Sequence, residues 1–132
     1  RNLFAENLRM SSPDLERAIR IKTNSVRGGL IEHLRYRDIT IGQVKDAIVI
    51  NFYYEEGDAG KFDPTVRDIE ISNLVCEKAN RVFQVRGFER APIRDFRMRD
   101  LEFKSAGENG VIEHVDGLEL HKVRINGQAF QV

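Results

Sequence analysis

One short pattern of apolar and polar positions recurs along the chain: apolar, any, apolar, any, Asn or Asp, apolar, any, apolar. It first reads Leu3-Phe4-Ala5-Glu6-Asn7-Leu8-Arg9-Met10, then Leu34-Arg35-Tyr36-Arg37-Asp38-Ile39-Thr40-Ile41. Ile69-Glu70-Ile71-Ser72-Asn73-Leu74-Val75-Cys76 and Phe96-Arg97-Met98-Arg99-Asp100-Leu101-Glu102-Phe103 follow. The last copy is Leu118-Glu119-Leu120-His121-Lys122-Val123-Arg124-Ile125, with Lys122 at the Asn or Asp position. Each half alternates with a period of two, which is strand periodicity. At the central residue the alternation slips by one. A strand that changes phase must bend there to keep its apolar side chains inward. Asn and Asp tolerate the left-handed backbone of such a corner.

A second kind of strand lies between the copies. It reads Ala18-Ile19-Arg20-Ile21-Lys22, Ala47-Ile48-Val49-Ile50-Asn51, Arg81-Val82-Phe83-Gln84-Val85 and Gly110-Val111-Ile112-Glu113-His114-Val115. Each repeat thus closes a coil of about three strands, and stacked coils make parallel sheets around a continuous apolar interior. The expected fold is all-β: a right-handed parallel β-helix of roughly four to five coils, one domain over residues 1–132. A β-sandwich would explain the alternation but not the repeated phase slip. Roughly 10–15 residues of helical spacing, which an α/β fold needs, occur nowhere. The solenoid is expected to be truncated at its N-terminal end, where an uncovered coil would invite self-association. At the other end, Gly127-Gln128-Ala129-Phe130 is placed to fold Phe130 over the last coil. Residues 54–64 are the longest irregular stretch, with shorter loops at 25–29 and 105–109. Insertions on one side of a solenoid commonly build its binding surface.

Composition narrows the partners. Apolar residues make up 41% of the chain, enough for a core, while 21 basic and 21 acidic side chains cancel. Net charge therefore draws the protein to neither nucleic acid nor an anionic membrane, and a polyanion must be held by a local patch. No apolar run approaches the ~20 residues of a membrane-spanning helix. The single cysteine, Cys76, excludes an internal disulfide and reads as a packed thiol. No cofactor and no metal are expected.

The sharpest candidate chemistry is Arg20-Ile21-Lys22. With Ile19 and Ile21 inward, Arg20 and Lys22 share the outer face, about 7 Å apart along the strand. Two cationic heads at that spacing suit one carboxylate, Arg as a planar fork and Lys as a point charge. The plain alternative is a solvated face. Tyr53 and Tyr54 follow the next strand, one coil on, where a phenol can stack on a sugar or donate to a hydroxyl. The alternative there is an aromatic packed on the coil.

Taken together, these segments resemble glycoside hydrolase family 28, the polygalacturonases. Ala18-Ile19-Arg20-Ile21-Lys22-Thr23, then Gly28-Gly29, is similar to that family's Arg-Ile-Lys coil. Ile48-Val49-Ile50-Asn51-Phe52-Tyr53-Tyr54 resembles its strand ending in a functional Tyr, with Tyr54 the better match and Tyr53 the alternative. The resemblance implies that Arg20, Lys22 and Tyr54 bind the uronic-acid carboxylate of a galacturonan, an acidic polysaccharide cut by inverting hydrolysis. It also implies a secreted or periplasmic protein. That reaction needs a general acid and a general base set apart to admit a water. In the family they come from Asn-Thr-Asp, Asp-Asp and Gly-His-Gly motifs, and none of these occurs here. The resemblance places all three before Arg-Ile-Lys. The expectation is thus a C-terminal portion that holds substrate and contains no catalytic residue. A non-catalytic β-helix module, binding acidic polysaccharide or a protein partner, is the alternative.

Overall fold

A computed structural model describes residues 3–10, 17–22, 30–52 and 65–131. Regular structure in them is entirely strand: β1 (Leu3–Met10), β2 (Arg17–Lys22), β3 (Leu30–Asn51), β4 (Thr65–Arg86), β5 (Ile93–Glu113), β6 (Val115–Ile125) and β7 (Gln128–Ala129). β1 and β2 both pair in parallel with β3, β1 along its first half and β2 along its end. β3 pairs in parallel with β4, β4 with β5 and β5 with β6. The repeat copies stack in register, Leu3 on Leu34, then Ile69, Phe96 and Leu118. The fold is a parallel β-helix, each of β3, β4 and β5 being one coil.

The bend that the phase slip demands is present where expected. Asp38, Asn73, Asp100 and Lys122 all have positive φ, between 54° and 58°. On either side of Asp38, buried Leu34 and Tyr36 give way to buried Ile39 and Ile41, so the interior keeps its side chains across the slip. Asn73 Nδ2 donates to Asp38 Oδ1 at 2.6 Å, tying two corners of the stack together. A second corner column precedes the second to fifth copies: His33, Asp68, Asp95 and Gly117, again with positive φ. His33 sits at this bend. Its column is harder to read because its residues are chemically mixed.

Two readings are corrected. Residues 105–109 are not a loop but run within β5. Gly107 packs there so closely that an added Cβ would lie 2.8 Å from the Asn80 carbonyl. From the other side Asn126 Oδ1 accepts from the Ala106 N–H at 2.8 Å, and its Nδ2 donates to the Ala106 carbonyl at 3.0 Å. That side-chain amide takes the place of a neighbouring strand's peptide. The segment 110–115 is not one strand, because it breaks at His114, φ 56°. The Ile93 N–H donates to the His114 carbonyl at 3.0 Å, which fixes the turn.

The interior is a set of apolar columns. Ile41, Cys76, Phe103 and Ile125 form one, and burial pushes the Cys76 thiol up to about 11. The C-terminal end closes as expected. Asn126 and Gly127, both with positive φ, turn β6 into antiparallel β7, the residue pair that a tight hairpin favours. Phe130 then packs 5.1 Å from Phe83, centroid to centroid, and its N–H donates to the Val123 carbonyl. Gly110, in register with Phe83, lets the two backbones approach closely; a Cβ there would lie 1.8 Å from the Phe83 carbonyl.

Lys122 is the one corner of its column without an Asn or Asp among the described residues. A left-handed backbone disfavours Lys but is tolerated by Asn. Lys122→Asn should therefore raise stability by up to about 1 kcal/mol, seen as a higher midpoint in thermal or urea unfolding. An unchanged or lower midpoint would refute the corner argument.

Candidate functional site

The outer face of one sheet is built by β2 and the last thirds of β3, β4 and β5. Ile19 and Ile21 are buried at 1% and 6% exposure, and Arg20 between them is half-buried. Register lays three columns along the helix axis. Arg20 aligns with Val49, Gln84 and Val111. Lys22 aligns with Asn51, Arg86 and Glu113, and Arg17 with Asp46, Arg81 and Glu108. The strand bearing Arg20 and Lys22 thus lies directly beside the strand that leads to Tyr53 and Tyr54. Both tyrosines, the loop at 54–64 and the Lys22 side chain lie outside what the structure describes.

Local chemistry orders this face. Arg81 Nε donates to Asp46 Oδ1 at 2.7 Å, and its Nη2 reaches Gln84 Oε1 at 3.4 Å. That carboxylate raises the Arg81 pKa further. Arg86 Nε donates to Glu113 Oε1, also at 2.7 Å. On this face, the cations of β4 therefore reach in opposite directions, Arg81 back to β3 and Arg86 on to β5. Val49 is only 4% exposed yet stands apart from the interior apolar cluster, as its outward place between Ile48 and Ile50 requires. It makes an apolar floor between Arg20 and Gln84.

The strand ends are anchored. The Phe52 N–H donates to the Arg86 carbonyl at 2.9 Å, and its fully buried ring meets Phe88 edge-on at 5.3 Å. Arg90 lies over the Phe88 ring, 4.6 Å from its centroid. The segment 87–92 is thereby packed down beside the face, and the chain is held in place up to the residue before Tyr53. Gln84, Arg86 and Glu113 were not singled out in the sequence. Aligned from their first residues, the second strands set Val85 in the column of Lys22, and only the strand pairing brings Arg86 there.

Asp68 is the strongest charge centre elsewhere among the described residues. Its carboxylate accepts from Arg97 at 2.7 Å, from Arg35 at 3.0 and 3.1 Å, and from His33 Nδ1. Arg97, His33 and Arg35, in that order, hold its pKa well below the usual carboxylate range. A carboxyl locked in the ionised form is no general acid. It is a strut joining three coils, since His33 and Arg35 are on β3, Asp68 on β4 and Arg97 on β5. Among the described residues no three His, Cys, Asp or Glu side chains are grouped to hold a metal ion.

Two comparisons bear on this arrangement. A family model described as "Glycosyl hydrolases family 28" matches residues 1–122. No curated protein matches the chain.

Asp68 also sets a pH signature. Its folded pKa is lowered, so its stabilisation is present above the unfolded value, near pH 4, and is lost as pH falls through the folded value. Asn accepts the same left-handed corner, so Asp68→Asn isolates the charge. The carboxyl is 24% exposed, and solvent screening brings the expected loss at neutral pH to about 1 kcal/mol. Urea unfolding should show the gap between wild type and variant shrinking below about pH 4. A gap unchanged at acid pH would rule out the carboxylate as its source.

Proposed function

The chain belongs to glycosyl hydrolases family 28, polygalacturonase-like glycosidases on a parallel β-helix, and we propose that it holds the substrate for such a hydrolysis. The proposed substrate is α-linked galacturonic acid, a pectic polymer. Arg20 and Lys22 grip the uronic carboxylate beside the scissile bond, and Tyr54, with Tyr53 as the alternative, meets the same sugars. The observation that carries this reading is the register of β2. It sets Arg20 beside Val49 and Lys22 beside Asn51, on the strand that leads into the two tyrosines. A pectic polymer is an extracellular substrate, so a secreted or periplasmic location goes with the proposal.

The chemistry is inverting hydrolysis. One carboxylic acid protonates the leaving oxygen while another carboxylate activates a water on the opposite face of the sugar. These 132 residues contain neither Asn-Thr-Asp, Asp-Asp nor Gly-His-Gly. Arg20 and Lys22 contribute by fixing the substrate carboxylate, and with it the sugar ring, so that the bond lies still for attack. The missing motifs favour a second reading as well: taken alone, these residues form a module that binds acidic polysaccharide without cutting it.

Calorimetric titration of the 132-residue chain with galacturonate oligomers should show binding that weakens with added salt. Arg20→Gln and Lys22→Gln should each lower affinity about tenfold or more. Incubation with polygalacturonate should release no reducing ends. Affinity unaltered in both variants would defeat the substrate assignment, and released reducing ends would defeat the non-catalytic one.

A further inference from the structure

Resting on the proposed galacturonan reading, we infer that the binding face has a second cationic station at Arg86 and ends at the fourth coil, where Glu113 and Glu108 stand. The face changes character coil by coil. The first coil brings Arg17, Arg20 and Lys22; the second, Asp46, Val49 and Asn51; the third, Arg81, Gln84 and Arg86; the fourth, Glu108, Val111 and Glu113. Strands in a sheet are about 4.8 Å apart, so Arg86 lies roughly 10 Å along the axis from Lys22, with Asn51 between them.

An acidic polymer laid along this axis from Arg20 and Lys22 meets no acid in the next two rungs of those two columns. Asp46, the acid of the second coil, lies in the outermost column and already accepts from Arg81 at 2.7 Å. Asn51 and Gln84 offer amides, which serve sugar hydroxyls as donor or acceptor. Arg86 then offers a guanidinium, which suits a planar carboxylate. Its Nε is engaged by Glu113, which orients the fork on the sheet. The segment 87–92, pinned by Phe88 on Phe52, flanks the strand ends. It favours a polymer running along the columns over one crossing them.

The fourth coil stops the run. Glu113 and Glu108 carry like charge to the polymer, and Val111 between them is 45% exposed, with nothing to give a sugar hydroxyl. Arg86 therefore accepts a further carboxylate of the same chain, and Glu113 sets how far the chain is held. Binding is stretched over a short acidic segment instead of a single sugar.

The test is the length dependence of affinity, measured calorimetrically with galacturonate di-, tetra- and hexasaccharides on the 132-residue chain. Arg86→Gln should weaken the hexasaccharide about tenfold and the disaccharide much less. Arg86→Lys should recover part of that loss. Glu113→Gln should strengthen the hexasaccharide more than the disaccharide. Arg99→Gln, an exposed charge in the first half of β5 on the far side of the Asp100 corner, controls for net charge and should change none of them. A thermal melt of each variant verifies folding. If Arg86→Gln and Glu113→Gln shift every length equally, or none, while Arg20→Gln still weakens binding about tenfold or more, the extended face is wrong and the substrate reading stands. If Arg20→Gln leaves binding intact at all lengths, the substrate reading itself fails. Absence of binding by the wild-type chain at every length overturns both.

Discussion

The structure depends on a single backbone constraint, the left-handed residue that turns each strand without interrupting its pairing. A straight strand of 22 residues, the length of β3, would span about 70 Å and present two faces. Two corners, at His33 and Asp38, bend its first half, and the apolar side chains shift from even to odd positions across the second corner. Residues that accept positive φ cheaply are favoured at such sites, and Lys122 is the departure. That is why short polar residues recur where each strand would otherwise be apolar, and why the phase slip is the feature that selects a coil over a flat sheet.

Stacking converts this local constraint into an electrostatic one. Every residue sits about 4.8 Å above its counterpart in the coil below, so identical charges in one column repel and opposite ones pair. The corner column reads Asp38, Asn73, Asp100, with the amide of Asn73 between two carboxylates and donating to one. The neighbouring column sets Asp68 against Asp95, and there Arg97 and Arg35 converge on Asp68. Arg67 with Glu32 and Lys104 with Glu77 pair between adjacent coils in the same way. Exposed pairs of this kind add little each. Their larger effect is on register, because a slip by one residue would separate these partners throughout the stack.

The corner at Asp38, Asn73 and Asp100 was legible because one residue type recurs at one offset within an alternating pattern. The corner at His33, Asp68, Asp95 and Gly117 was not, since those side chains have little in common beyond tolerance of the same φ. Residues 105–109 looked like a loop because Ser, Gly and Asn are turn residues by composition. They remain extended because Asn126 supplies from a side chain the hydrogen bonds that another strand would give Ala106. In the candidate site, Arg20 and Lys22 stood out as neighbours along one strand. Arg86 and Glu113 did not, because they join the site across coils, and coils with loops of unequal length hide their alignment until the pairing is known.

A face made of stacked strands has a consequence that a loop-built site lacks. Its charges are spaced by the sheet itself, so their separations are set by the pairing distance and change little on binding. For a polymer with a carboxylate on every sugar, such a ruler rewards one register of the chain and penalises the others. The cost of ordering the protein is already met in folding, so under the proposal the attraction of Arg20 and Arg86 for the polymer goes into holding it instead of arranging the site. Pre-set cations also act on the polymer's position, and position decides whether the scissile bond lies where an acid and a base can reach it. On the proposed reading, substrate holding is a property of the coil stack, separable from the residues that cleave. That is consistent with a sequence that keeps the Arg-Ile-Lys strand while lacking the family's acid–base motifs.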